Sequence, residues 1–374
     1  MYCPLPFRHV YVDNSGLAPC CQFPRQVTTL DQWANNPTLQ RIQQSFLSGQ
    51  VPPECQTCID QEHSQGESLR TNSLRDYNNQ RFDDTVIDFV DYRSSNICNF
   101  RCRSCVPEFS HGIAQEYKQI PELSRFGRVI DIKVASADVK NKDWIINHLP
   151  QLRRLMFTGG EPTVIPEVRS ILEHVLDANL PDLSVLITTN GSFTDPFWYE
   201  LTKHCKSIHW TVSVDAVGSA AEIIRDGTDW AQVHSNLNWL ACHAQSMDIN
   251  TVISNLNVFQ LQPLLRYVRN LQLLSQQQGQ MGSDGIRHQF FQCRRPYYLA
   301  ADNWPDDLRR GVLTYLQQCL ALNLDSIQQD TIEHLLNSVL FNQFDSELWS
   351  QCQIYNDILD QSRNQNHMVL YQEI

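Results

Sequence analysis

Three cysteines stand close together at Cys98, Cys102 and Cys105, in the run YRSSNICNFRCRSC of residues 92–105. Their spacing is C-x3-C-x2-C, and no fourth cysteine stands beside them. Thiolates spaced this way suit an iron–sulfur cluster. A [4Fe–4S] cluster held by only three of them keeps one iron without a protein ligand, free to bind a small molecule and pass it an electron. Two plainer readings remain beside it. Structural zinc wants four closed ligands in two close pairs, and the nearest histidine, His111, is not close enough in sequence to complete the set. Inert core thiols are common, but they do not usually cluster on polar loops rich in Arg and Asn.

The elements that must position this triplet can be read upstream and downstream. Residues 86–92 (VIDFVDY) form an apolar, β-rich run without Pro or Gly, so the cysteines are expected on a loop leaving a strand end. A second strand, residues 152–157 (LRRLMF), runs directly into Thr158, Gly159, Gly160, Glu161 and Pro162. There two glycines would let backbone groups approach a ligand closely, and a carboxylate follows at once. An ordinary βα turn would supply the same residues.

The triplet, followed about 55 residues later by Gly159-Gly160-Glu161-Pro162, resembles the radical S-adenosylmethionine (SAM) enzymes, in which the methionyl amine and carboxylate of SAM chelate the open iron. Three further strand ends fall in that family's order: residues 185–191 (VLITTNG), 210–216 (WTVSVDA) and 250–255 (NTVISN). The resemblance covers roughly residues 86–300 and implies a mixed α/β fold, a partial (β/α)6 TIM-type barrel. It implies that Cys98, Cys102 and Cys105 hold the cluster, and that Gly159, Gly160 and Glu161 meet the methionyl amine. It further implies that Ser213 and Asp215 bond the ribose hydroxyls, that Asn190 borders the SAM pocket, and that Arg225 pairs with the methionyl carboxylate. Each has a bland counterpart: Asn190 a turn residue, Asp215 a helix cap, Arg225 a surface ion pair. The residue before the third cysteine, often aromatic in the family, is here Ser104, so adenine contact is expected from elsewhere, with Phe100 and Phe109 as candidates.

A second set of cysteines fills the N-terminus at Cys3, Cys20, Cys21, Cys55 and Cys58. Residues 8–20 alternate around an Asn-Ser-Gly turn and read as a hairpin. Trp33, Leu39, Ile42, Phe46 and Leu47 recur at helical spacing before the C-x2-C at Cys55 and Cys58. Hairpin, helix and closing C-x2-C resemble the twitch domain, the half-sized relative of the SPASM domain, placed before the barrel instead of after it. That resemblance implies an auxiliary [4Fe–4S] cluster on Cys3, Cys20, Cys55 and Cys58, with Cys21 as the substitute for Cys20. Four paired thiolates suit zinc as well. Cys205, Cys242, Cys293, Cys319 and Cys352 read as packing residues, with Cys293, at the end of the last barrel-type strand at 285–293, the one to watch.

The chain has 374 residues, 42% of them hydrophobic, enough for more than one domain. The expected division is a Cys-rich module at 1–85 ending in a polar link at 62–81, a barrel at 86–300 with a mobile connector or solvent-facing helix end at 272–283, and a helical segment at 301–374 that packs on the barrel and helps cover the substrate. Leu308, Val312, Leu316, Leu320 and Leu324 recur every fourth residue in the last of these. Thirteen cysteines and no signal or long apolar span point to a cytoplasmic protein with metal ligands and no membrane partner. A net charge of −12 without a basic run argues against nucleic acid, and the pairs Arg101/Arg103 and Arg294/Arg295 read as ordinary solvated charge or charge balance for a cluster.

The resemblance implies reductive cleavage of SAM to a 5′-deoxyadenosyl radical that abstracts hydrogen from a substrate, with an electron donor such as flavodoxin or ferredoxin. Twitch- and SPASM-bearing relatives commonly modify ribosomally made peptides or proteins by crosslinking, epimerisation, oxidation or backbone excision, so a peptide or protein substrate is expected, read with a separate leader-recognition protein. A small-molecule substrate is the alternative within enzymes. A metal-binding interaction protein without catalysis is the alternative outside them.

Overall fold

Strands form where buried side chains alternate. Val185, Ile187 and Thr189 point to one face of Ser184–Thr189, and Ile208, Trp210 and Val212 to one face of Ile208–Ser213. The computed structural model of the chain describes residues 1–127, 139–205, 207–279, 281 and 285–372. Its ten strands are β1 (His9–Asp13), β2 (Gly16–Ala18), β3 (Phe89–Arg93), β4 (Arg101–Cys102), β5 (Arg154–Phe157), β6 (Ser184–Thr189), β7 (Ile208–Ser213), β8 (Arg225–Asp226), β9 (Met247–Ile253) and β10 (Arg287–Gln292). All six barrel-type strands read from the sequence are among them, interleaved with helices in a mixed α/β fold.

The chain divides into two compact units, Met1–Ser95 with the described part of Lys133–Ile187, and Asn96–Ile132 with Thr188–Ile374. In the first, β1 pairs antiparallel with β2 and parallel with β3, β3 pairs parallel with β5, and β5 with β6. The N-terminal hairpin thus shares a ladder with the first barrel-type strand, with His9 opposite Phe89 and Asp13 opposite Arg93. Its turn is tied by Asp13, whose Oδ1 accepts from Ser15 N–H at 2.9 Å. The helix Pro37–Leu47 starts where Asn36 Oδ1 accepts from the N–H groups of Thr38 and Leu39, and it buries Leu39, Ile42 and Phe46.

The polar link expected at 62–81 is instead largely helical. Leu69–Asp76 is opened by a reciprocal capping box between Ser68 and Thr71, and Arg70 pairs with Glu62. Only Ser73 of that helix is buried, so no apolar period announced it.

In the second unit β7 pairs parallel with β9, β9 with β10, and the two-residue β4 pairs antiparallel with β8. The helical C-terminal segment is three helices, Asp306–Leu320, Ser326–Phe341 and Ser346–Arg363. Val312, Tyr315, Leu316 and Cys319 line the buried side of the first, and Leu324 falls beyond its end. The helix Leu261–Gln278 takes in the start of the expected connector at 272–283, whose residues 280, 282 and 283 lie outside the described residues. Among the described residues no helix is long and apolar enough to cross a membrane. In each unit the parallel strands run in one direction, so the residues after β5 and those after β7, β9 and β10 leave from strand C-terminal ends, where such folds place their chemistry.

Candidate active site

The cysteine loop is fixed in the second unit by its own backbone. Cys102 lies in β4 opposite Arg225, and Arg101 lies opposite Asp226. Gly227, next in chain, has φ +97°, and a Cβ there would sit 2.7 Å from Asn99 O, so glycine alone lets this segment lie against the cysteine loop. Cys105 N–H donates to Cys102 O at 3.0 Å, closing the turn that carries the C-x2-C pair. Phe100 N–H donates to Cys98 Sγ at 3.4 Å, a bond that strengthens when the sulfur is a thiolate. Burial pushes the Cys105 thiol up, with Cys102 and Cys98 adding to it, and burial raises Cys102 as well, with Arg225 opposing. Such thiols ionise when a metal takes the place of the proton.

Arg225 and Asp215 are brought together. Arg225 Nη1 donates to Asp215 Oδ2 at 2.8 Å, while Asp215 Oδ1 accepts from Val252 N–H at 2.8 Å. Burial works against the Arg225 charge, but Cys102 and Asp215 outweigh it and raise its pKa. The buried side-chain atoms of this unit that have no protein hydrogen-bond partner among the described residues include Arg225 Nε and Asn255 Oδ1. A buried donor without an acceptor is costly, and a carboxylate carried by a ligand would satisfy this one. Three thiols on one loop, with an unsatisfied buried guanidinium N–H in the segment paired to it, are a donor set that fits a thiolate-held cluster with a carboxylate-bearing ligand.

Asn190 Nδ2 donates to Asn99 Oδ1 at 2.8 Å, and its own Oδ1 accepts from Ser192 N–H at 3.0 Å. It therefore ties the turn after β6 to the residue that follows Cys98. Ser213 ends β7, half-buried, opposite Asn250. Of the two aromatic candidates for adenine, Phe100 is in the core and Phe109 is exposed.

The sequence does not single out Asn99, and it reads Arg101 and Arg103 as solvated charge or charge balance for a cluster. Arg101 pairs with Glu116 and Asp226, and the Arg103 side chain is 0% exposed, ion-paired to Asp360 at 2.5 Å. The available signal was a pair of arginines within a C-x3-C-x2-C loop of few other charges.

The first unit carries the Gly-Gly-Glu turn. Gly159 and Gly160 have φ +75° and +51°. A Cβ on Gly159 would lie 3.2 Å from the Arg93 Cβ at the end of β3, so the turn is close-packed as well as left-handed. Thr158 Oγ1 donates to Asp91 Oδ1 at 3.2 Å, and Arg93 pairs with the same carboxylate. Glu161 is buried, and its Oε1 accepts from Thr163 N–H at 3.1 Å and Oγ1 at 2.7 Å, which fixes the carboxylate at the mouth of the turn.

The same unit gathers the N-terminal thiols. Cys3, Cys20, Cys55 and Cys58 line one small cavity with Leu5, Phe23, Ile42 and Phe46, whereas Cys21 is exposed and is not part of that lining. His9 Nδ1 bonds Pro19 O at 2.9 Å and so holds the residue before Cys20. Cys55 closes the short turn Pro53–Cys55, and Cys58 lies in the first turn of the helix Gln56–Gln65. Burial pushes Cys20 up to about 12 and Cys55 up to about 11, and raises Cys3 further.

Comparison with known proteins follows this geometry. Residues 92–267 match the family model described as Radical SAM superfamily. A curated GTP 3′,8-cyclase of Sulfurimonas denitrificans is 28% identical over 110 residues, 29% of this chain and 29% of that protein. Among solved structures, anSMEcpe with bound AdoMet is similar at 15% identity and TM-score 0.40, over 62% of this chain and 59% of that one. Streptococcus suis SuiB bound to S-adenosylmethionine is similar at 14% identity and TM-score 0.41, over 76% and 57%. The chain thus spans less than a third of the curated relative's length and under two thirds of either solved chain. The family implies a [4Fe–4S] cluster and SAM. The family match begins at Tyr92, at the end of β3, and takes in the triplet, the Gly-Gly-Glu turn and the strand ends through β9, so this stretch, a little under half of the chain, is similar to the radical SAM superfamily of enzymes.

Proposed function

We propose that this enzyme modifies a peptide or protein and carries two iron–sulfur clusters, one on Cys98, Cys102 and Cys105 and an auxiliary one on Cys3, Cys20, Cys55 and Cys58. When bound, the first cluster would supply the electron that splits SAM. The remaining roles follow the family resemblance: Gly159, Gly160 and Glu161 would take the methionyl amine, Arg225 its carboxylate, Ser213 and Asp215 the ribose, and Asn190 would steady the loop that holds Cys98. Asp215 also holds Arg225 in place whatever it bonds, because both of its oxygens have protein partners.

The observation that carries the second cluster is the convergence of four thiols from three separate stretches of the N-terminal module on one apolar cavity. Zinc at a Zn–S length of about 2.3 Å would draw its four sulfurs to about 3.8 Å from one another. Four thiolates serve zinc or an iron–sulfur cube alike, and the twitch resemblance carries the choice of iron–sulfur. An auxiliary cluster of this kind goes with the twitch resemblance, and a peptide or protein substrate goes with it in turn. A nucleotide-sized substrate is the second reading, favoured by the stretch of 110 residues aligned with a GTP 3′,8-cyclase.

The substrate class is tested by anaerobic, dithionite-driven SAM cleavage in the presence of GTP, or of a host-cell extract before and after protease treatment. Stimulation of 5′-deoxyadenosine formation that protease abolishes is expected. Stimulation by GTP, or by an extract that protease leaves active, would establish the small-molecule reading instead.

A further inference from the structure

We propose that Arg103 is a positioning residue that locks the Cys102–Cys105 turn to the C-terminal helix Ser346–Arg363, making that helix part of the cluster site. The proposal rests on the triplet's reading as cluster ligands. Arg103 stands directly after Cys102, and its side chain is fully buried. All three guanidinium nitrogens are used. Nε donates to Ile223 O at 3.0 Å, Nη1 to Asn356 Oδ1 at 2.9 Å, and Nη2 to Asp360 Oδ1 at 2.5 Å and Gln365 Oε1 at 2.8 Å.

The backbone of the same residue is held on both sides, its N–H by Ile224 O at 2.9 Å and its carbonyl by the buried Tyr355 hydroxyl at 3.0 Å. Four of these partners, Tyr355, Asn356, Asp360 and Gln365, belong to the C-terminal helix or the two residues after it. Asp360 is held in turn, accepting from His367 N–H at 2.8 Å. A buried charge persists only where it is paired and hydrogen-bonded, and partners fixed this fully leave the turn a single geometry. The flanking side repeats the pattern: Arg363 donates to Glu116, which pairs with Arg101 just before Cys102, and Gln365 donates to Asp226, opposite Arg101 in the β4–β8 pair.

The consequence is preorganisation. Two of the three ligand sulfurs are set by contacts outside the loop, so the apo chain should already hold them in place. A guanidinium fork serves four acceptors at once, and Lys cannot reproduce it.

The test uses the full-length chain in two arms. Hydrogen exchange of the apo protein is compared for wild type, R103Q, R103K and D360N, and the reconstituted proteins are compared by EPR and by the midpoint potential of the SAM-binding cluster. Exchange of the 102–106 amides at least about tenfold faster in R103Q and R103K, with the amides of β7 and β9 unchanged, is expected, together with a shifted EPR signature. D360N, at the more accessible end of the ion pair, is expected to give the same changes at smaller amplitude should R103Q fail to fold. Wild-type exchange and wild-type EPR in folded R103K and D360N would overturn the proposal. The cysteine reading is checked separately: iron content unchanged by the C98A/C102A/C105A triple variant would overturn that reading and the proposal with it, whereas loss of iron there with unaltered EPR in R103K would overturn the role of Arg103 alone.

Discussion

The two thiol sites differ in what surrounds the sulfur. The N-terminal quartet looks onto a cavity walled mostly by apolar side chains, Leu5, Phe23, Ile42, Phe46 and Leu69 among them, with Gln22, Glu54 and Arg70 also in the lining, and four sulfurs line it. The triplet loop lies among Arg101, Arg103 and Arg225 with their carboxylates, and it offers three sulfurs and a buried guanidinium N–H without a protein acceptor. A mostly apolar shell with four sulfurs suits a closed ligand set. A charged shell with three sulfurs is built to admit an ionic ligand.

The largest break in this comparison is removal of a sulfur set. Replacing Cys98, Cys102 and Cys105 with Ala is expected to abolish SAM cleavage and take away about four of about eight irons, which iron analysis and 5′-deoxyadenosine detection would read. Replacing Cys3, Cys20, Cys55 and Cys58 should remove the other four and leave SAM cleavage measurable, while Cys21→Ala should leave the iron content whole. Iron loss from Cys21→Ala equal to that from Cys20→Ala would show that the quartet is drawn wrongly.

A smaller effect is expected at the ion pair in the charged shell. Asp215→Asn leaves the Arg225 guanidinium buried without its counter-charge, a loss of about 3–5 kcal/mol in denaturant unfolding together with weaker SAM binding. Unchanged stability would mean that Arg225 has another anion to rest on. The smallest expected effect is one of rate. In the apo chain burial pushes Cys20 up to about 12 and Cys55 up to about 11, so on the order of one in ten thousand and one in a thousand are thiolate at pH 8. Alkylation at both should be slow at pH 8 and quicken about tenfold for each pH unit upward, with exposed Cys21 reacting first. Equal rates at Cys20 and Cys21 would contradict the buried shell.

How far each site was legible follows from the distance over which it is built. The C-x3-C-x2-C spacing is local chemistry, and Thr158–Pro162 follows its strand directly, so both could be read along the chain. Strands such as β6 announced themselves because apolar residues alternate in them, as at Val185 and Ile187, and β3 by an apolar, β-rich run without Pro or Gly. The helix Leu69–Asp76 did not, since it buries only Ser73 and is held by its cap and by the Arg70–Glu62 pair. Arg103 was illegible for another reason. Its acceptor Asn356 lies 253 residues away, and no local pattern distinguishes a guanidinium in water from one folded into a cage of distant amides and carboxylates. The C-terminal helices were legible as helices, while their hold on the cysteine loop came from polar side chains, which carry no period.

The central claim, two separate iron–sulfur sites of different character in one chain, is tested most directly by Mössbauer and EPR spectroscopy. The samples are wild type, the triplet variant and the quartet variant, each reconstituted anaerobically with 57Fe and sulfide. Two [4Fe–4S] populations are expected in wild type, with the triplet variant losing the one whose spectrum responds to SAM and the quartet variant losing the one that does not. A single SAM-responsive cluster in wild type, with zinc or no metal at the N-terminal thiols, would contradict the account.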